Sequence, residues 1–548
     1  MTTTRASTWS KPPGEHPSRC GSNTAKVAMK LIVEKHVPIK MRDGVTLSAD
    51  VYRPSEGEPR STVLIRTPYC KDDPAHANTW INVLRAVECG WVVVVQDVRG
   101  RFRSEGQFVP FVNEADDGVD TIQWVREQLW SDGNVGMVGG SYVGLSQWLA
   151  AATNPEGLIG IVPAVTADDV HSGWLYEDDN VVLGFLAHWV SVLLASSRID
   201  EESRPRIAAL ERNVAEVRIR TFHQLLEEAG DFAPYLQDWR DRSRSLVDPE
   251  LAGRVEVPAF VIGGWFDIFL PGTVASFVRR EAAGTRNAHD RLLIGPWAHG
   301  LMGGWFPAHS FGPASSFDSL DPTSLQLGWL EEVRDGRNHS EHPVTVFSMG
   351  ADEWRCFSSW PPEGAERVQL RLRPSNTEDP TAIMAARTAS SVDSPVPTIG
   401  GRTFFPGYKV GANSGPRLLE ALHAHKDVHA FVSEPLDDDI EIMGTVTCLI
   451  KVTAAGPTPV VVKLATLDST GAPELLCEGS SYSRTGDGNA ESISVNLGST
   501  SVRVAKGMRL CAYLATSDFP RLEDGPRTSL NVCAEEGPVL ELDVLGLG

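Results

Sequence analysis

Near-continuous apolar runs alternate with segments of helical spacing in the first third of the chain. Residues 62–66 and 91–97 are typical of strands buried on both faces of a sheet, and residues 78–86 between them have helical spacing. Residues 114–129 predict a further helix, which leads directly to an apolar strand at 135–138. This alternation of strand and helix predicts an α/β fold with a mostly parallel sheet.

The pattern then changes twice. Helical spacing with many charges replaces the strand signals, the parallel-sheet pattern returns, and short β-rich runs separated by Gly, Pro, Ser and Asp follow to the end. We therefore predict, in order, a flexible N-terminal arm at 1–28, the first part of an α/β core at 29–166, a helical cap at 167–254, the second part of the core at 255–342, and an all-β domain at 343–548.

Composition narrows the class of protein. The chain has 548 residues, of which 42% are hydrophobic and 22% charged, and no apolar run is long enough to cross a bilayer. Its 50 Lys and Arg against 71 Asp and Glu give a formal net charge of -21, which disfavours nucleic acid or an anionic membrane as a partner. The eight cysteines form no C-x-x-C pair, so neither a zinc site nor a disulfide framework is indicated. The N-terminal segment lacks the apolar stretch of a signal peptide, and we predict a cytoplasmic protein.

Ser141 is the first candidate for chemistry. It follows the apolar strand in the run Gly139-Gly140-Ser141-Tyr142-Val143-Gly144 and precedes a helical segment, as a hydrolase nucleophile does on a strained strand-to-helix turn. The usual pattern is G-x-S-x-G, whereas here Val143 occupies the second glycine position and the glycine comes one residue later. Because such a serine is more often part of a plain turn, the assignment depends on the rest of the chain.

Asp267 and His299 supply the partners that a nucleophilic serine requires. Each directly follows a predicted sheet strand, and they come after Ser141 in the order acid then histidine that this fold uses. Taken singly, Asp267 is as consistent with a helix cap and His299 with a loop hydrogen bond. Three such positions at the carboxyl ends of strands, where open α/β sheets bind ligands, together favour a catalytic triad.

The chain from about Val37 onward resembles the cocaine esterase/NonD hydrolases, which belong with the X-Pro dipeptidyl-peptidases and the α-amino acid ester hydrolases. The matching segments are residues 41–45 and 49–54 (MRDGV and ADVYRP), 66–69 (RTPY), 96–106 (QDVRGRFRSEG), the turn at Ser141, 263–267 (GGWFD) and 295–299 (GPWAH). The late glycine after Ser141 is the form that this family has. The resemblance implies an α/β-hydrolase core with an inserted helical cap and a C-terminal jelly-roll domain.

The resemblance also implies a role for each candidate. Ser141 would form an acyl-enzyme, His299 would take and return the proton, and Asp267 would orient the imidazole. The backbone N–H of Tyr142 and the hydroxyl of Tyr69 would hold the oxyanion. Without the resemblance, Tyr69 is as consistent with an aromatic side chain packed after Pro68. No metal or organic cofactor is required.

The residues after Asp267 bear on specificity. Ile268-Phe269-Leu270 stand where the α-amino acid ester hydrolases place carboxylates for a substrate ammonium, so we expect an apolar acyl pocket. Phe269, Trp174 and Trp265 are candidate walls, although such residues more often belong to the core. The predicted substrate is a small ester with a bulky or aromatic acyl group, and the enzyme is a possible homo-oligomer.

Three alternatives remain open. An X-Pro dipeptidyl-peptidase or amidase would need an acidic anchor for an amino terminus, which Glu177, Asp178 or Asp179 could provide, although a solvated run of charge is the commoner meaning of such a cluster. A biosynthetic enzyme could use the same triad for acyl transfer to an alcohol or amine if water were excluded. A non-catalytic protein could bind sugar or polymer through the β domain.

Overall fold

The computed structural model describes residues 30–197, 200–241, 250–337, 340–374, 396–403, 413–423, 425, 427–484, 489–525, 528, 530–533 and 537–546. The predicted arm at 1–28 lies outside these residues. The described chain forms a core with one ten-stranded sheet, a helical segment inserted into that core, and two five-stranded antiparallel sheets that follow it.

The first part of the core contains six strands and four helices. The strands are β1 (Leu31–Lys40), β2 (Thr46–Pro54), β3 (Arg60–Thr67), β4 (Val92–Asp97), β5 (Ser131–Gly140) and β6 (Leu158–Ala164), and the helices are α1 (Pro74–Ala77), α2 (Val83–Glu88), α3 (Glu114–Arg126) and α4 (Tyr142–Ala151). All six residues of β4 are buried, as its continuous apolar run predicts for a strand covered on both faces.

The inserted segment begins after β6 with a π-helical turn at His171–Leu175 and a short hairpin. Its elements are β7 (Tyr176–Glu177), β8 (Asn180–Val181), α5 (Leu183–Ala195), α6 (Arg204–Ala215), α7 (Phe222–Ala229), α8 (Tyr235–Arg240) and α9 (Leu251–Arg254). Helix α5 is buried over most of its length, because apolar residues surround it on nearly every side. Among the described residues, no helix combines the length and apolar character needed to span a bilayer.

The second part of the core completes the large sheet. It contains β9 (Phe260–Phe266), α10 (Leu270–Ala282), β10 (Arg291–Ala298), α11 (Pro322–Arg334), β11 (Val344–Ser348) and β12 (Glu353–Phe357), with 3-10 turns at Pro313–Ser315 and Phe317–Leu320. The strand order is β1-β2-β4-β3-β5-β6-β9-β10-β11-β12. The pairs from β4 to β11 are parallel, and antiparallel pairs close both edges.

Strand β11 differs from the sequence expectation. The sequence predicts that these residues begin the all-β domain at 343, but Leu292 to Ile294 of β10 pair in parallel with Val344 to Val346. A short β-branched strand has the same pattern in either environment, so the sequence could not distinguish an edge of the core sheet from a β domain. The other predicted boundaries stay predictions.

The C-terminal domain is built from two antiparallel sheets. Its elements are β13 (Glu366–Arg371), β14 (Arg373–Pro374), α12 (Glu420–His423), β15 (His429–Val432), β16 (Ile440–Ala454), β17 (Thr458–Leu467), β18 (Pro473–Ser483), β19 (Ala490–Val504), β20 (Arg509–Ala515), β21 (Leu530–Val532) and β22 (Val539–Leu545). One sheet has the order β13-β22-β16-β19 with β21 on β16, and the other β14-β15-β20-β17-β18. The predicted all-β character is confirmed.

Candidate active site

Ser141 lies in a strained turn between β5 and α4. Its φ of 58° and ψ of -129° are rare for a residue with a side chain, and the turn is held by a hydrogen bond from its N–H to the carbonyl of Ala164 at 2.9 Å. A Cβ atom on Gly139 would lie 2.3 Å from Cγ1 of Val143, and one on Gly144 would lie 2.6 Å from Cγ2 of Thr166. Glycine at 144 therefore permits the close approach of α4 to Thr166, just after β6.

The side chain of Tyr142 holds this turn in place through two buried hydrogen bonds. Its hydroxyl donates to Oε1 of Glu114 at 2.8 Å and accepts from the N–H of Phe111 at 3.1 Å. Burial raises the pKa of the Glu114 carboxyl, which the nearby Arg66 guanidinium opposes. Burial and the Glu114 carboxylate also hold the pKa of Tyr142 well above its ordinary value. The phenol is thus engaged in structure, and the group of Tyr142 that remains for oxyanion binding is its backbone N–H at the start of α4.

Asp267 and His299 meet at the ends of β9 and β10. The Nδ1 atom of His299 lies 2.9 Å from Oδ2 of Asp267, whose side chain is fully buried. The other carboxylate oxygen, Oδ1, accepts from the N–H of Phe269 at 2.8 Å. With both oxygens bound, the carboxylate has a fixed orientation, and the imidazole is left with Nε2 for the serine side of the cavity.

Tyr69 follows β3, and its side chain lies near Ser141 and His299. Burial raises the pKa of its phenol above the ordinary value, so the hydroxyl is protonated at neutral pH. The indole Nε1–H of Trp189 donates to the Tyr69 oxygen at 3.1 Å, and the phenol is also hydrogen-bonded to the Ser141 side chain. Because the indole can only donate, the Tyr69 proton points away from Trp189 and is available to an oxygen bound beside Ser141.

A cavity of about 330 Å³ brings these groups together. Ser141, Tyr69 and His299 lie on its wall, and most of the remaining surface is apolar. Helix α5 of the inserted segment contributes four further residues to the lining: Phe185, His188, Trp189 and Val192. The inserted helix therefore forms one side of the cavity that Ser141 and His299 line.

Arg101 connects α5 to the loop that carries Tyr69. Its guanidinium is almost fully buried and donates to the carbonyl oxygens of Pro68 at 2.9 Å and Leu193 at 3.0 Å. It also donates to the hydroxyls of Ser196 and Ser197. Arg101 therefore fixes the inserted helix to the loop that precedes Tyr69.

The predicted wall residues lie beside this cavity. Phe269 contacts the His299 ring edge to face at 5.1 Å and Trp174 at 4.3 Å, and both line an adjoining cavity of about 480 Å³ between the helical segment and the β domain. Trp265 lines neither cavity: it is 3% exposed, and its Nε1–H donates to the carbonyl of Phe347 at 2.8 Å. Phe185 belongs to both cavities, so it separates them.

Sequence reasoning did not find Phe185, His188 or Trp189. They lie in a helix whose sequence is apolar at nearly every position, so periodicity gave no signal for the side that faces Ser141. A histidine inside such an apolar run was the available clue, because a polar side chain within a buried helix usually has a partner or a function.

The acidic residues of the inserted segment are paired with arginines. Glu177 accepts from Arg521 at 2.8 Å and from Arg402 at 3.2 Å, and these ion pairs together lower the pKa of Glu177 against the opposing effect of burial. Asp178 and Asp179 form ion pairs with the exposed Arg484. The expected solvated run is thus found only at the second and third positions, while Glu177 joins a buried network.

One cluster among the described residues has donor atoms of the metal-binding type. Ligand atoms of His36, Asp50 and Asp72 all lie within 4.8 Å of one another. The Lys71 ammonium lies among them, at 2.9 Å from Nδ1 of His36, 2.8 Å from Asp50 and 3.2 Å from Asp72. A lysine cation therefore neutralises these carboxylates, and the cluster does not fit a divalent metal.

This fold and geometry define an α/β hydrolase of the serine type. Residues 43–301 match the X-Pro dipeptidyl-peptidase (S15) family, and residues 337–538 match the X-Pro dipeptidyl-peptidase C-terminal non-catalytic domain. Cocaine esterase from Rhodococcus sp. (strain MB1 Bresler) is 30% identical over 551 residues, which cover 92% of this chain and 94% of that protein. The chain therefore belongs to the cocaine esterase/NonD family of hydrolases and is a serine hydrolase. This result confirms the resemblance found in the sequence.

Solved structures agree on the architecture. An aminopeptidase from a marine sediment Thaumarchaeota archaeon has a TM-score of 0.75 at 19% identity, with 96% of this chain and 98% of that chain covered. An α-amino acid ester hydrolase has a TM-score of 0.74 at 20% identity, with 95% and 98% covered. At these identities the likeness concerns the fold, and it confirms the predicted α/β-hydrolase core with a C-terminal β domain.

Proposed function

We propose that the chain is a serine esterase in which Ser141, His299 and Asp267 form the catalytic triad. The observation that carries the proposal is the 2.9 Å contact between His299 Nδ1 and the buried Asp267, at a cavity that Ser141 and Tyr69 also line. An aspartate held in this way fixes the imidazole tautomer and stabilises the imidazolium that forms when the serine loses its proton.

The reaction takes place in two halves. His299 Nε2 removes the Ser141 hydroxyl proton while Oγ attacks the ester carbonyl, and the resulting oxyanion is bound by the Tyr142 N–H and the Tyr69 O–H. The tetrahedral intermediate collapses, the C–O bond to the alcohol breaks, and His299 returns its proton to the leaving oxygen. Water then attacks the acyl-enzyme by the same route and releases the acid.

The cavity supports an ester with a bulky or aromatic acyl group. Its walls include Phe185, Trp189 and Trp80, and its volume of about 330 Å³ is in the range that holds small organic ligands. Apolar and aromatic surface of this kind favours burial of a hydrocarbon group next to the scissile carbonyl. Trp174 and Phe269 both pack against the Phe185 ring and so help to fix its position in this wall.

An X-Pro dipeptidyl-peptidase is the second candidate, because the family model that matches the chain carries that description. Such an enzyme needs a carboxylate that can bind a substrate ammonium. Glu177, Asp178 and Asp179 are each paired with an arginine, and Ile268 and Phe269 after the triad aspartate are apolar. These contacts favour the esterase.

Labelling with a fluorophosphonate tests the proposal. We expect the intact mass to increase by one adduct, peptide mapping to place it on Ser141, and Ser141→Ala to take none. A panel of aryl esters and a proline dipeptide amide are assayed in parallel. Faster cleavage of the amide would support the peptidase, and a folded protein without an adduct on Ser141 would contradict the triad.

A further inference from the structure

The cavity beside Ser141 contains one imidazole to which the proposed mechanism gives no role. Of the polar side chains on its wall, Tyr69, Ser141 and His299 belong to the reaction. The Thr67 hydroxyl accepts from the N–H of Tyr69 at 3.1 Å, and the Thr79 hydroxyl donates to the carbonyl of Ala75 at 2.6 Å, so both are engaged within their own loops. His188 is a further polar side chain of this lining, and the indole of Trp80 also lies on it.

Helix α5 presents His188 to the cavity. Residue 188 lies one turn before Val192, so the two side chains share a face of the helix, and both line the cavity. The helix is held in place by Trp189, which donates to Tyr69, and by Arg101, which donates to the Leu193 carbonyl. The imidazole is therefore attached to a fixed element and not to a loop.

His188 is neutral at physiological pH. Burial lowers its pKa from 6.5 to about 4, and repulsion by His299 contributes further. A neutral imidazole carries one N–H donor and one ring nitrogen acceptor, so it can bind an ether, carbonyl, hydroxyl or amine without requiring charge on the ligand.

The neighbouring imidazole indicates which part of the substrate His188 would contact. His299 must deliver its proton to the leaving oxygen, so the alcohol portion of an ester passes beside the His299 ring. His188 lines the same cavity as His299, whose charged form disfavours protonation of His188 and lowers its pKa. We propose that His188 is a specificity-determining residue that hydrogen-bonds a polar atom in the alcohol portion of the ester. This inference rests on the esterase function proposed above.

Two benzoate esters of nearly equal shape test the proposal. 2-Methoxyethyl benzoate has an ether oxygen where n-butyl benzoate has a methylene, and both give the same benzoyl-enzyme. We expect His188→Leu to lower the kcat/KM for the methoxyethyl ester, relative to that for the butyl ester, by roughly fivefold compared with wild type, which is the effect of one hydrogen bond. His188→Gln, which keeps a donor and an acceptor, should restore most of the preference.

Val192→Ala is the matched control, because it changes the same helix face and the same cavity without altering a hydrogen-bonding group. It should leave the ratio of the two kcat/KM values unchanged. The rate of benzoyl-enzyme hydrolysis should be equal in wild type and His188→Leu, since the alcohol has already departed.

Three results would overturn the inference. The ratio could be the same in wild type and in His188→Leu protein that still takes the fluorophosphonate on Ser141, Val192→Ala could shift the ratio equally, or His188→Leu could act on benzoyl-enzyme hydrolysis instead. In each case the esterase function would stand. A wild-type enzyme that hydrolyses neither ester nor any aryl ester would instead refute the proposed function itself.

Discussion

The two cavities on either side of Phe185 differ in the charge of the residues around them. The cavity of Ser141 is mainly apolar, and its few polar groups are directed at each other or at the space where a substrate would bind. The adjoining cavity, between the helical segment and the β domain, lies against a network in which Arg402, Arg521 and Lys463 face Glu177, Glu478 and Asp518. Three cations thus balance three carboxylates.

The balance in this network makes it inert. Burial by itself would lower the pKa of Arg521, but Glu177, Glu478 and Asp518 hold it well above the ordinary value. Burial likewise opposes ionisation of Asp518, while Lys463 and Arg521 lower its pKa. Every charge is stabilised by its partners, so the network joins two parts of the chain without offering a reactive group. The Ser141 cavity differs from this network, because it contains side chains that exchange protons in the proposed reaction.

The largest expected effect comes from removing the proposed nucleophile of the Ser141 cavity. Ser141→Ala should lower ester turnover by roughly 10⁴-fold to 10⁶-fold, because the covalent step is lost while the oxyanion donors remain. Steady-state kinetics with an aryl ester measures the change. Ser146→Ala is the matched control: this serine of α4 is buried, and its hydroxyl donates to the Val143 carbonyl at 2.9 Å. A similar loss in both variants would indicate damage to the helix and not the loss of a nucleophile.

Glu177→Gln tests whether the buried ion-pair network beside the adjoining cavity contributes to stability and not to catalysis. Removal of one partner leaves Arg521, which is 3% exposed, with an incompletely compensated charge, and we expect a destabilisation of about 3 to 5 kcal/mol. Urea unfolding followed by fluorescence measures it, and the kcat of the folded fraction should change little. Asp179→Asn provides the comparison, because its partner Arg484 is 62% exposed and such surface pairs contribute about 0 to 1 kcal/mol. Equal effects of the two variants would argue against a buried network.

Tyr69→Phe removes one donor from the proposed oxyanion site. We expect kcat to fall by about 10²-fold to 10³-fold. Stability should fall by about 1 to 3 kcal/mol at most, because the buried Trp189 indole N–H loses its acceptor. Tyr142→Phe should show the opposite pattern: it retains the backbone N–H but loses the bond to Glu114, so stability should fall more than turnover. Stopped-flow acylation rates and thermal unfolding distinguish the two.

The smallest effect concerns pH. The pKa of His188 is about 4 in the folded protein against 6.5 ordinarily, so between these values the unfolded chain binds a proton that the folded protein does not. Stability contributed by the neutral His188 is therefore complete above pH 6.5 and decreases as the pH falls towards 4, by on the order of 2 kcal/mol at pH 5. The difference between the urea midpoints at pH 7 and pH 5 should be smaller in His188→Leu than in wild type. An identical pH dependence in the two proteins would contradict the lowered pKa.

The triad candidates could be predicted because their signals are local. A glycine-flanked serine after an apolar run, and an aspartate and a histidine after two further runs, identify strand ends, and the carboxyl ends of parallel strands meet at one edge of the sheet. For Asp267 and His299 the structure confirms this proximity. The alternation of strand and helix likewise determined the fold class.

The surroundings of the triad depended on packing between distant parts of the chain. Nothing in the helical run 183–195 shows that His188 and Trp189 face Ser141, because apolar residues occur on all sides of this helix. Glu177 and Arg521 are 344 residues apart, and neither sequence context distinguishes a buried ion pair from a surface charge. Residues 344–348 have the same strand pattern whether they extend the core sheet or begin a β domain. Backbone conformation and strand ends follow from nearby residues, whereas the choice of partner for a side chain is made by the tertiary fold, since it depends on which surfaces exclude water together.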